Sequence, residues 1–425
     1  MEAYWRVEAR APARWSLGSA KEELDSLLRQ SVREHLISDV PLGIWASGGL
    51  DSSTILHYAA EASTPPLKTL AVTFHGRTFD ESPYIRQISE RYGTEHCEFD
   101  LNTDLDLPSA IEKFAYYSDE PSADAGALPV WFLAEMSRRH VTVALSGEGA
   151  DELFGGYVTY LADRYARWLR RLPLSVRKGA LALARRWPVS DDKISFEYML
   201  KRFLRGSLMP EEDAHVFWNG AFTESEKEGF FLRTNPQPLR RLLGKLPEEP
   251  GLSRYLMFDQ RYYLPDDILY KVDRMSMAHS VEVRPPFLDH RIVEFAASLP
   301  EDFKVRGSTL KFVLRELMKG KLPPSILRRK KIGFDIPAHE WFRGALKGLL
   351  LDTLTEGAVN RTRLFRWEGV QKLLRNHMER RANFGYHLWG LMILFLWIKR
   401  WKIQTDPIAE ERMNEQELLN VPIST

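Results

Sequence analysis

The period of the apolar positions changes along the chain, and the changes mark out its elements. Leu24, Leu27, Leu28, Leu36 and Ile37 recur among charges between residues 20 and 38, which predicts an amphipathic helix. The run Leu42-Gly43-Ile44-Trp45-Ala46 is apolar throughout and strand-length, and from Thr54 to Ala60 the spacing is helical again. After the break at Pro65-Pro66, a strand is predicted over 67–74, a helix over 83–92 and a strand over 96–101. A further helix over about 128–139 leads into another apolar strand at 141–145. Strands alternating with helices in this way predict an α/β fold, a parallel sheet with flanking helices. Beyond it the chain reads as largely helical. Ligands of such sheets lie at the carboxyl ends of the strands.

Two glycine turns sit at those ends. The first is Ser47-Gly48-Gly49-Leu50-Asp51-Ser52-Ser53, between a predicted strand and a predicted helix. Backbone N–H groups of two glycines, three hydroxyls and the positive end of a helix dipole make an anion cradle of phosphate size. A carboxylate beside such a cradle repels the ligand unless a cation lies between them, so Asp51 reads as a magnesium ligand. The plainer reading is a turn whose hydroxyls only cap the helix. It is not a Walker loop, which requires a Lys after its last Gly, nor the dinucleotide fingerprint. The second turn is Ser146-Gly147-Glu148-Gly149-Ala150-Asp151-Glu152, again entered from an apolar strand. Two such turns on neighbouring strands would face one ligand from both sides.

Composition narrows the setting. A chain of 425 residues with 59 basic and 58 acidic side chains has a large core and no charge excess demanding a nucleic-acid or membrane partner. Its single cysteine, Cys97, excludes an internal disulfide framework and reads as a packing residue of a strand. The first residues lack the apolar core of a signal peptide, and the longest apolar run, from Leu388 to Ile398, is too short to span a bilayer. The expectation is a cytoplasmic protein. Arg164, Arg167, Arg170, Arg171, Arg177, Lys178, Arg185 and Arg186 are interleaved with Leu, Ala and Trp, predicting helices with one basic face, which is read as solvated.

The first turn resembles the pyrophosphate loop, SGGxDSS, of the ATP pyrophosphatase superfamily. The second is similar to the SGEGxDExFGGY signature of the synthetase domain of asparagine synthetases. Two later blocks carry the same resemblance: Tyr263-Leu264-Pro265-Asp266-Asp267-Ile268-Leu269-Tyr270-Lys271-Val272-Asp273-Arg274, and Leu310 to Arg315 followed by Leu327 to Phe334. The resemblance implies ATP cut between its α- and β-phosphates, an acyl adenylate, and its capture by an amine. It assigns ATP contacts to Ser47, Gly48, Gly49, Asp51, Ser52, Ser146, Gly147 and the backbone of Val72; Asp119, in the acidic loop before the 128–139 helix, is a second magnesium ligand beside Asp51 if that loop faces the pyrophosphate, as the expected sheet order would place it. Glu148 is implied as the group that orients ammonia or takes its proton, and Lys331 as the cation facing the α-phosphate and the tetrahedral intermediate. Asp151, Asp266 and Asp267 are the candidates for substrate contacts, while Glu282, Arg284 and Asp289 read as internal salt bridges.

The organisation expected is a lead-in at 1–19, a nucleotide-binding core at 20–160, a helical insertion at 161–250, a helical substrate-pocket region at 251–402 and a tail at 403–425. Glutamine-dependent members of that family carry a nucleophilic cysteine at the processed N-terminus, which is absent here. The expectation is therefore an excised synthetase domain, or a protein taking free ammonia, ammonia from a separate glutaminase subunit, or another amine, with a homodimer as one assembly to consider. Aspartate is the first carboxylate to consider. The alternatives are another amide-forming or macrolactam-forming synthetase and an RNA-modifying enzyme, the last opposed by the lack of a catalytic cysteine.

Overall fold

The computed structural model describes residues 4–6, 14–63, 66–74, 80–101, 105–188, 195–235, 237–246, 251–329 and 336–405. They fall into two compact units: the first takes in Met1–Asp106, Asp124–Asn219 and Leu239–Ile336, the second Leu107–Ala123, Gly220–Pro238 and Pro337–Thr425.

The first unit is built on a five-stranded, all-parallel sheet. Helix α1 (Leu17–His35) starts at Ser16, whose hydroxyl accepts from Ser19 N–H in a reciprocal cap, and buries Ala20, Leu24, Leu28 and Val32 along one stripe. Strand β1 (Leu42–Trp45) enters α2 (Leu50–Ala62); β2 (Lys68–Thr73), α3 (Ser82–Tyr92) and β3 (Glu95–Asp100) follow by crossovers. After α4 (Leu107–Tyr117), which belongs to the second unit, the chain returns through α5 (Ala127–Ser137) to β4 (Val143–Leu145) and the short α6 (Ala150–Phe154). The strand β5 (Glu282–Arg284) closes the order β3-β2-β1-β4-β5. The chain therefore winds outward from β1 on one side and resumes with β4 on the other. That places the reversal of strand order between β1 and β4, where such sheets bind ligands. The register sets Gly43 opposite Lys68 of β2 and Ala144 of β4, which brings the carboxyl ends of β1 and β4 side by side.

Every residue of α5 except Glu135 is buried, and the continuous apolar runs of β1, β2 and β4 are buried as both-faced strands require. The largest core cluster joins α1 and α2 to Phe154, Phe287, Ile292 and Leu314. Each of these aliphatic and aromatic side chains contributes roughly 1.5–3 kcal/mol by burial. Cys97 of β3 is half-buried opposite Leu70.

Three further helices, α7 (Val158–Leu169), α8 (Leu174–Ala184) and α9 (Phe196–Gly206), precede α10 (Glu211–Asn219). The stretch Asp259–Leu269 is π-helical with Pro265 inside it, and passes directly into the helix Tyr270–Met277. Expected ion pairs are present: Arg284 Nε lies 2.6 Å from Glu282, and Asp289 caps the next helix while bonding Arg291 Nε at 2.8 Å.

In the second unit, helix Gly385–Trp401 packs on α4, and its Trp397 indole donates to Ser118 O at 3.1 Å. Leu388 to Ile398 thus lies inside one buried helix, and among the described residues no helix is long and apolar enough to cross a membrane.

Candidate active site

The first turn leaves β1 at Trp45. Gly48 sits at φ +63°, and a Cβ there would meet the backbone of Tyr84 and Ile85 at 2.8–2.9 Å, so only glycine fits. Gly49 then opens α2 with Asp51 in its first turn. Ser47 N–H donates to Ser52 Oγ at 3.2 Å and the two hydroxyls lie 3.0 Å apart, so the loop is braced by its own serines. The Ser53 hydroxyl is closed from solvent and has no hydrogen-bond partner among the described residues, a donor held at a helix N-terminus.

The second turn lies directly against the first. A Cβ on Gly147 would come within 2.9 Å of Ser52 N and 3.0 Å of Asp51 Cβ. The two turns are in van der Waals contact. Val72 lies on β2 two residues beyond Leu70, whose carbonyl takes Ala46 N–H at 2.9 Å, so its backbone faces the side where β1 has already ended.

Asp51 and Asp151 share one cation. Lys311 Nζ stands 2.6 Å from Asp51 Oδ2 and 2.7 Å from Asp151 Oδ1, with its side chain almost wholly buried. Burial alone would lower the Lys311 pKa; the two aspartates outweigh it and hold the ammonium charged. Lys311 has φ +51°, a left-handed backbone that a non-glycine residue adopts only under constraint, immediately before the helix Phe312–Met318. Arg315 of that helix donates from Nε to Leu310 O at 2.9 Å and from Nη1 to Leu327 O, tying the two late basic segments together. Arg329 donates to Ser47 O at 3.3 Å, pairs with Glu81 and stacks on Tyr84, so it grips the first turn from behind.

Beside the turns lies a second charged group. Glu148 is half-buried; burial raises its carboxyl pKa, against the Ser146 hydroxyl and its own N–H, and among the described residues its Oε2 has no hydrogen-bond partner. Lys271 Nζ is 2.5 Å from Asp124 Oδ2. Burial would lower its pKa, but Asp124, Asp267 and Glu148 hold it raised. Asp267 is pushed up to about 7 by burial first and by repulsion from Asp124 second, with Lys271 and the Tyr263 hydroxyl opposing. Tyr263, Asp267 and Lys271 are each four residues apart across the junction of the π-helical and α-helical stretches, so they line one side. Asp266 is exposed.

The sequence-derived candidates are thus distributed unevenly. Ser47, Gly48, Gly49, Asp51, Ser52, Ser146, Gly147, Glu148 and Asp151 converge on the paired turns, and Asp267 lies in the adjoining charged group. Asp119 is an exposed residue of the second unit. Lys331 lies outside the described residues. Lys311, Lys271, Asp124 and Arg329 were not among the candidates. Their only sequence signal was position inside the late motifs or the acidic segment before α5. Among the described residues no cluster of three or more His, Cys, Asp or Glu is placed to hold a metal ion unaided. Asp51 next to a phosphate-sized cradle is the kind of site where magnesium takes one or two carboxylates and completes its shell with phosphate oxygens.

The family model described as asparagine synthase matches residues 23–401. The chain belongs to the asparagine synthase family. Among its relatives, asparagine synthetase [glutamine-hydrolyzing] 1 of Bacillus subtilis (strain 168) is 31% identical over 385 residues, covering 88% of this chain and 58% of the relative. A putative asparagine synthetase [glutamine-hydrolyzing] of Mycobacterium bovis is 32% identical over 383 residues, 88% of this chain and 57% of its own length. Amidase chry2 of Gibberella zeae is 26% identical over 412 residues, 87% of this chain and 60% of its own. The chain thus spans somewhat more than half the length of these relatives. Family membership covers both turns, the π-helical stretch and the late basic segments in one continuous match.

Proposed function

We propose that this chain forms an amide bond through an acyl adenylate: a substrate carboxylate attacks the α-phosphorus of ATP, pyrophosphate leaves, and an amine displaces AMP. The observation that carries the reading is the direct contact of the two turns, with Lys311 bridging the aspartate of each. The Gly48–Ser53 turn holds the departing pyrophosphate by N–H groups, the idle Ser53 hydroxyl and the α2 dipole. Asp51 is the residue that would hold magnesium, which when bound neutralises phosphate charge. The part of Asp119 in that role rests on the sequence reading of its acidic loop, and that of Lys331 at the α-phosphate on sequence resemblance.

Lys311 is a positioning residue here, keeping two carboxylates within one ion-pair length so that Asp51 stays aimed at the cradle. Glu148 faces the same crevice with an uncommitted oxygen and a raised pKa, the properties of a group that takes a proton from an attacking amine. The attack forms the C–N bond, the proton passes to the Glu148 carboxylate, and the C–O bond to AMP breaks.

The neighbouring group favours a substrate that carries both charges. Asp267 accepts a substrate ammonium and Lys271 a second carboxylate, which fits aspartate better than a simple acid. The amidase-named relative supports the second reading, amidation of another carboxylic acid or a macrolactam closure at the same turns. Ammonia, either free or from a separate glutaminase-type partner, is the proposed nitrogen source. Incubating the protein with magnesium ATP and aspartate, with and without ammonium, tests the first reading. Asparagine, AMP and pyrophosphate in equal amounts support it; pyrophosphate release only with a different carboxylic acid moves the chain to the second.

A further inference from the structure

The helices α7, α8 and α9 carry a surface that the chemistry above does not use. Residues 158–206 hold twelve Lys and Arg against four Asp and Glu, a net of +8 in a chain whose total is +1, leaving the remainder at −7. Among the described residues of this stretch the acids are Asp163 and Glu197, and both are buried, so every exposed charge is positive. Arg171, Lys178, Arg185 and Arg186 are exposed and, among the described residues, pair with no carboxylate. At these four positions the basic character read from sequence is unneutralised, whereas Arg167 pairs with Glu211 of α10 at 3.6 Å and Lys201 with Glu197.

Between these cations the apolar side chains point outward. Among the described residues, ten of the 21 exposed large hydrophobic side chains lie between Val158 and Met199, a tenth of the chain's length. Helix α8 shows why. Its inner stripe, Leu181 and Ala184, packs with Leu204 of α9 and with Leu169 at the end of α7 in a small cluster. On a different stripe Val176, Gly179, Leu183 and, in the turn that continues the helix, Trp187 recur at i, i+3, i+7 and i+11. Leu183 is 70% exposed and Trp187 51%, while Trp168, at 63%, is stacked under Arg171 at 4.3 Å. An apolar stripe on a convex helix, flanked by Arg and Lys and ended by Trp, is built for an interface that is apolar at depth and anionic at its surface.

We propose that α7–α9 form a docking face for the anionic surface of a lipid bilayer. A second copy of the same face is disfavoured, because two basic faces, each with unpaired Arg171, Lys178, Arg185 and Arg186, would meet. A nucleic acid would use the cations and the aromatic rings, but it leaves Leu172, Leu174, Val176 and Leu183 in water, since aliphatic side chains do not stack on bases. A fluid acyl layer covers all of them without needing a matching groove, and anionic headgroups meet the cations. Docking holds the enzyme at a membrane surface with the catalytic turns carried on the sheet.

The test is sedimentation of the full chain with vesicles of phosphatidylcholine alone and of phosphatidylcholine mixed with phosphatidylglycerol. Binding to the mixed vesicles and not to the neutral ones, lost as salt is raised, is expected. The triple variant Arg171→Glu, Lys178→Glu, Arg185→Glu should weaken it on the order of 10²-fold, at about fivefold per charge even before reversal is counted. Leu183→Gln with Trp187→Gln should weaken it roughly tenfold through lost apolar contact. Both variants change exposed side chains away from the turns, so pyrophosphate exchange should be unchanged and reports intact folding. Equal binding to both vesicle types, no binding to either, or unimpaired binding by the charge variant overturns the proposal. So does capture by RNA or an acidic protein without any affinity for vesicles.

Discussion

Two clusters in the first unit have the same composition, one cation between two aspartates, and opposite meanings. In one, His215 of α10 lies 2.7 Å from Asp163 of α7 through Nδ1 and 3.0 Å from Asp259 through Nε2, and Tyr160 donates to Asp259 at 2.7 Å. All three charged side chains are at most 2% exposed. In the other, Lys311 joins Asp51 to Asp151, and around it stand groups that bond nothing among the described residues: the Ser53 hydroxyl and Glu148 Oε2. The His215 ring stacks on Tyr160 and Tyr255, and the cluster pins the start of the π-helical stretch to the helices beside it. The Lys311 cluster ends in uncommitted donors and acceptors at the carboxyl end of a parallel sheet. Both clusters keep a buried oxygen without a hydrogen-bond partner among the described residues, Asp163 Oδ1 in the first and Glu148 Oε2 beside the second, so place in the fold separates them: only the Lys311 cluster stands at the paired turns that end two parallel strands.

The sharpest way to break that contrast is at Asp51. Asp51→Asn should reduce pyrophosphate release on the order of 10³-fold with little change in melting temperature, checked by steady-state assay and calorimetry. Lys311→Met should cost on the order of 10²-fold in turnover and also destabilise, because it leaves two carboxylates without their cation.

His215→Gln should do the reverse, costing about 3–5 kcal/mol of stability while the remaining folded protein turns over within about twofold of wild type. Its pH signature follows from the direction of the shift. Burial would lower the His215 pKa, but Asp259 and Asp163 outweigh it and raise it to about 10. A raised folded-state value stabilises fully below the unfolded value of about 6.5 and is lost as pH rises toward 10. Thermal midpoints of the wild type should therefore fall across that window more steeply than those of His215→Gln.

Asp267 and Asp266 give the smallest and most selective comparison. Asp267, titrating at about 7, should put an inflection near neutral pH into the KM for the carboxylate substrate, with tighter binding on the alkaline side where it is ionised. Asp267→Asn should remove the inflection and raise KM roughly tenfold. Asp266→Asn, at an exposed side chain, should change KM by less than about twofold.

The sequence made the sheet and both turns legible because each rests on local signals: an apolar strand-length run, a glycine turn, then helical spacing. The predicted strand at 67–74 is Lys68–Thr73 in the structure, and that at 96–101 is Glu95–Asp100. What local pattern does not carry is which distant charges meet. Lys311 is 260 positions from Asp51, and Lys271 is 147 from Asp124, so neither pair leaves a periodic trace. The adjacent acids at 266 and 267 looked equivalent in sequence. The helix separates them, turning Asp267 toward Lys271 and leaving Asp266 in water.

The central proposal is cleavage of ATP between its α- and β-phosphates at the paired turns. Exchange of labelled pyrophosphate into ATP, followed with and without a carboxylic acid substrate and no amine present, isolates that step. The structure predicts exchange that requires the carboxylate and magnesium and vanishes in Asp51→Asn. Formation of ADP and phosphate instead, or exchange undiminished in that variant, would contradict it.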